Sequence, residues 1–123
     1  MSWTMVLNAE LGIVEGVYAG HISKQDGANS NAKMLAVAPK GNPLRVLLEL
    51  RDVIAEYSIT DLYWIAKTGE SNSGDRMRRM AILVSDQVAI TAKLDFFETT
   101  SFNRGSQVKV FTQRQDAIDW LLR

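Results

Sequence analysis

The sequence predicts one α/β domain over residues 1–123, built on a four- to five-stranded mixed sheet. An N-terminal antiparallel hairpin leads into alternating helices and parallel strands. Three observations point there. The chain opens with two short runs of strand formers, Trp3–Asn8 and Ile13–Tyr18, separated by the tight-turn residues Glu10, Leu11 and Gly12. Two later apolar runs behind turn signals, Leu44–Leu50 and Met80–Val84, have the length and character of buried strands. Segments of helical spacing separate and follow them, and strands alternating with helices imply parallel pairing through crossovers.

After the hairpin, Ser23 followed by Asp26 fits a helix start, with a serine oxygen for the orphan amides and an acid at the positive end of the dipole. Met34, Leu35 and Ala38 supply its apolar face, and Gly27 weakens it. Asn42 and Pro43 would also open a helix, but the short run Leu44–Leu50 is read as a strand. Ser58 to Asp61 carry cap chemistry ahead of a helix over about Thr60–Lys67, although Tyr63-Trp64-Ile65 equally suits a strand. Gly69–Gly74, GESNSG, reads as a loop.

Beyond the Met80–Val84 strand, the spacing of Ile90, Leu94, Phe97 and Ser101 predicts a helix from Val88 to about Phe102, with Asn103 and Gly105 as its stop. Val108, Val110 and Phe111 mark a last strand. Thr112 with Gln115 reads as a capping box for an amphipathic helix that pairs Ala117 with Leu121 and Ile118 with Leu122.

Composition narrows the function classes. A chain of 123 residues, 46% hydrophobic and 23% charged, can bury about two-thirds of its unfolded surface without a disulfide or a metal. Lys plus Arg and Asp plus Glu both number 14, so the basic excess of a nucleic-acid binder is missing. Zero net charge also leaves little repulsion against a homodimer. There are no cysteines, which removes thiolate catalysis and thiolate zinc sites. Met1–Glu10 lacks the basic and apolar regions of a secretory signal, and no stretch reaches the roughly 18 apolar residues of a membrane span. The default location is the cytoplasm.

No catalytic set emerges. His21 is the single histidine and reads as solvated or structural. Gly69-x4-Gly74-Asp75-Arg76 has an acid where a phosphate loop needs lysine. Asp75-Arg76-Met77-Arg78-Arg79 reads as a solvated lead-in to a buried strand, with an acidic partner as the alternative. Tyr63, Trp64, Phe96, Phe97 and Phe102 read mainly as core, the sharper alternative being an apolar groove.

MAILVSD at Met80–Asp86, FFETTSFNRG at Phe96–Gly105 and VKVFTQRQDAIDWL at Val108–Leu121 resemble the bacterial SpoIIAA-like proteins of the STAS-related class. The shared landmarks are an apolar strand ending in Asp86, the Asn103-Arg104-Gly105 step, a strand ending in Phe111, and Ala117 with Trp120-Leu121. The resemblance implies a mixed sheet flanked by helices, and interaction modules that contact proteins, small apolar ligands or membrane surfaces. Anti-anti-sigma factors of the class carry an Asp-Ser-Gly type loop after the third strand. Arg51-Asp52-Val53-Ile54 stands there instead, without the phosphorylatable serine.

The expected function is therefore a non-enzymatic binding or regulatory module, without a cofactor, for a protein partner or a small amphipathic ligand, with peripheral membrane contact as an option. Its site is expected where parallel strands end, at Arg51, Asp52, Ser85 and Asp86, walled by Trp64 and Phe97. The alternatives are a small hydrolase or transferase pairing Asp52 or Asp86 with Arg51, and a dimer built on the last helices.

Overall fold

A computed structural model describes residues 2–21, 23–38, 44–53, 77–86, 100–101 and 107–123. The elements run β1 (Ser2–Asn8), β2 (Ile13–Gly20), α1 (Lys24–Val37), β3 (Leu44–Val53), β4 (Met77–Leu83), β5 (Thr100–Ser101), β6 (Gln107–Phe111) and α2 (Arg114–Leu121). They form one sheet in the order β1-β2-β3-β4-β6-β5. β2, β3, β4 and β6 are parallel, whereas β1 and β5 run antiparallel at the two edges. The five longer strands are those the sequence predicts, and β5 adds a two-residue sixth.

The hairpin closes through Gly12, whose φ of 70° lies in the left-handed region and whose N–H donates to the Asn8 carbonyl at 2.8 Å. The Leu11 N–H donates to Asn8 Oδ1 at 3.2 Å. α1 begins at the Ser23 cap read from the sequence, and Asp26 completes it as a capping box. The Asp26 N–H donates to Ser23 Oγ at 3.1 Å, and the Ser23 N–H donates to Asp26 Oδ2 at 2.9 Å.

The period-two alternation of the strands divides the core into two layers. On one face Met5, Val14, Tyr18, Val46, Leu48 and Ile82 pack with Met34 of α1 and with Ala38, which caps that helix. On the other, Ile13, Leu47, Ala81, Leu83 and Phe111 pack under Ala117, Trp120 and Leu121 of α2. Beneath α1 the Tyr18 hydroxyl donates to Ser30 Oγ at 2.9 Å, and Ser30 donates in turn to the Gly27 carbonyl at 3.0 Å. Burial of that ring raises the Tyr18 pKa, with the Ser30 bond opposing it. At Gly16 the Met5 and Leu48 side chains come so close that a Cβ would lie 2.9 Å from Met5 Cε.

Three readings need correction. The helix expected from Val88 to about Phe102 does not include Thr100 and Ser101, which pair across to Val108 and Gln107 as β5; the rest of that segment lies outside the described residues. Thr112 and Gln115 form no capping box. α2 starts one residue later behind Gln113, which makes no side-chain cap, and Gln115 Nε2 donates forward to Asp119 Oδ1 at 2.8 Å. Met77, Arg78 and Arg79 belong to β4 itself rather than to a solvated lead-in. The helix at Thr60–Lys67, the Gly69–Gly74 loop, and Tyr63, Trp64, Phe96, Phe97 and Phe102 lie outside the described residues.

Candidate interaction surface

The four described residues of the expected site do come to neighbouring strand ends. Glu49 of β3 stands beside Leu83 of β4, so Arg51-Asp52 and Ser85-Asp86 lie two to three residues further along adjacent strands. Pairing between β2 and β3 steps two residues on one strand, Val17 to Ala19, against three on the other, Glu49 to Asp52. This bulge breaks the alternation, which turns Asp52 towards the face of its register partner Ala19. Arg51 and Asp52 are exposed, as is Asp86, while Ser85 is half-buried. Arg51 donates to the Thr112 carbonyl at 3.3 Å, and the Val84 N–H donates to the Phe111 carbonyl at 2.9 Å, stitching the strand ends together. Among the described strands the parallel ones, β2, β3, β4 and β6, follow one another across the sheet in chain order, so they supply no switch-point crevice there. Trp64 and Phe97, the expected walls, lie outside the described residues.

Arg45, Arg79 and Arg114 hold α2 in place. Arg45 Nε donates to the Leu121 carbonyl at 2.8 Å, and Arg79 Nη1 donates to the Trp120 carbonyl. Those carbonyls end a helix with no basic residue in its own last turn, so β3 and β4 supply the cationic cap from outside. The Arg79 guanidinium also lies 5.0 Å from the Trp120 ring centroid, and Trp120 tilts against Phe111 at 5.7 Å. At the other end Arg114 pairs with Glu15 at 2.6 Å, and Asn8 Nδ2 donates to the same carboxylate at 2.8 Å. The Arg114 bond lowers the Glu15 pKa despite desolvation, and the Glu15 bond raises that of Arg114. These cations are engaged in architecture. Among the described residues no cluster of three His, Asp or Glu side chains could hold a metal.

Apolar exposure is concentrated elsewhere. Among the described residues the exposed large hydrophobic side chains are Val6, Leu7, Val17 and Leu122, and three of these four belong to the hairpin. Val6 is 56% exposed and Val17 39%, and they sit diagonally on one face, since Val6 pairs with Glu15 and Thr4 with Val17. Leu7 follows Trp3 and Met5 on the opposite face, beyond the cover of α1. β1 carries no charged residue and stands at the end of the sheet order among the described strands. The sequence reading took these residues only as strand formers. The available signal was the lack of lysine or proline in Ser2–Asn8, where an edge strand usually carries one.

The sheet order and the helix on each face find a counterpart among solved structures. The crystal structure of an uncharacterized protein of the DUF3478 family, with a SpoIIAA-like fold, from Shewanella loihica PV-4 superposes with a TM-score of 0.57 at 18% identity. The match covers 98% of this chain and 92% of that one, and it bears on the fold alone. No curated protein matches the chain. Among the described residues no helix is long and apolar enough to cross a membrane. The SpoIIAA-like family model matches residues 13–122, nearly the whole sequence. The chain belongs to the SpoIIAA-like family.

Proposed function

We propose that this chain is a non-enzymatic, regulatory binding module whose partner is a protein, with the β1–β2 hairpin as the contact surface. The observation that carries this reading is the exposure of Val6 and Leu7 on the uncharged edge strand β1 and of Val17 on its neighbour β2. Exposed apolar groups clustered at one place mark interaction surfaces, whereas single ones scattered over a surface do not. Membership of a family typically made of regulatory protein-interacting modules supports the same reading. Arg51, Asp52, Ser85 and Asp86 enter it as a polar rim at the far end of the strands, without a catalytic role.

Native mass spectrometry of the freshly purified protein, followed by denaturing spectra of the same sample, tests the reading. A complex with a second polypeptide, weakened by Val17→Asp, is the expected result. A co-purified small apolar molecule, with no protein partner and no effect of Val17→Asp, would replace the protein by an amphipathic ligand.

A further inference from the structure

We infer that the β1 edge is completed by the β1 edge of a second copy of this chain, so that two six-stranded sheets join antiparallel across a two-fold axis. This names the partner for the protein-binding reading and rests on it. Among the described strands only β2 pairs with β1, which leaves seven residues of outer edge, about 24 Å at about 3.4 Å per residue, along which alternate N–H and C=O groups point away from β2. Such an edge is an open template for strand addition.

The two ends of the sheet are built differently. The β5 edge is blunted by its length of two residues. β1, by contrast, pairs with β2 from Ser2↔Ala19 to Asn8↔Ile13 without a bulge, and contains neither proline nor lysine. It therefore lacks the devices that keep edges apart.

Charge selects the occupant. No residue of β1 is charged. The one carboxylate paired to it on β2, that of Glu15, is neutralised by Arg114 and bonded by Asn8. A charged peptide would find nothing complementary here, whereas a neutral strand of equal length meets no penalty. The chain supplies such a strand itself, and its net charge of zero adds no repulsion between copies.

The side-chain pattern is also self-complementary. With Met5 on the two-fold axis, Thr4 of one copy lies opposite Val6 of the second, and Trp3 lies opposite Leu7. Each exposed valine then gains a neighbour on its own face. Each Leu7 gains a half-buried Trp3 ring on the other. The contact closes at two copies because the same patch serves both sides.

Sedimentation velocity of the full chain, from low micromolar to about 300 μM, spans the weak end of specific association. It should show a monomer–dimer equilibrium. Val6→Lys should weaken it at least tenfold while leaving the circular dichroism spectrum unchanged, since the substituted side chain is already in solvent. Hydrogen exchange of the unaltered protein gives an independent reading: alternate β1 amides should slow as concentration rises. A monomer throughout the range overturns the inference, as does self-association that leaves both Val6→Lys and β1 exchange unaffected. If the chain stays monomeric while a separately purified protein protects the β1 amides, the second copy is refuted and the protein-binding reading survives.

Discussion

Gly16 and Gly27 should respond to alanine with opposite signs. A Cβ at Gly16 would lie 2.9 Å from Met5 Cε and 3.0 Å from both Met5 Sδ and Leu48 Cδ2. Favourable carbon contacts lie at about 3.5–4.0 Å, so neighbours on both sides must retreat by about 0.5–1 Å. Met5 is only 3% and Leu48 5% exposed, and both are held in the layer under α1, so neither retreats freely. Overpacking of this kind costs about 1–3 kcal/mol. Removing glycine's freedom from the unfolded chain returns about 0.4–1 kcal/mol. With the middle of each range, Gly16→Ala should therefore destabilise by about 1 kcal/mol. Gly27 lies within α1, and a Cβ there meets nothing within 4 Å. Gly27→Ala should stabilise by about 0.5–1 kcal/mol. Urea denaturation at constant m measures both. A second variant localises the cause: Met5→Leu, which removes the clashing terminal methyl, should recover part of the Gly16→Ala loss and give a non-additive cycle. A Gly16→Ala protein as stable as the parent would refute the close-approach argument.

Other substitutions probe the docking of α2 and the start of α1. Arg79→Ala should cost about 1–2 kcal/mol by removing a charged donor from the Trp120 carbonyl and the stack on its ring, and in thermal melts Arg79→Lys should lie nearer the alanine variant than the parent. The Glu15 pKa is lowered in the folded state, so its contribution is present above the ordinary carboxyl value of 4.5 and is lost as pH falls through the folded value; Glu15→Gln should flatten the acid side of the stability–pH curve, and an unchanged slope would contradict the ion pair. Ser23→Ala should lose about 1 kcal/mol in urea titrations, because the Asp26 amide at the start of α1 loses its acceptor.

The elements legible from sequence are those whose signals are local. The Ser23 cap and the turn at Gly12 involve residues within four of one another, and both appear as read. The misreadings arise where a distant partner decides. Thr100 and Ser101 suit a helix by spacing, but Val108 and Gln107 recruit them into the sheet. Arg79 looked like a solvated gatekeeper because its partner, Trp120, lies 41 residues away in sequence. The interaction surface was hidden in the same way. The neutrality of Ser2–Asn8 is visible in the letters, but only the strand order shows that this segment is an edge. The strand-end residues Arg51, Asp52, Ser85 and Asp86 were placed together because parallel strands end at one side of a sheet. Local pattern could not show that Arg51 reaches to the Thr112 carbonyl.

Among the described residues, α2 alone packs on Ile13, Leu47, Ala81, Leu83 and Phe111, and it lies later in the sequence than every strand. During synthesis that layer must wait. β1 to β6 leave the ribosome before α2, so among the described elements these apolar side chains have no helix over them until Arg114–Leu121 emerges. Until then the layer stands open, and its apolar side chains are the surface that a chaperone would hold.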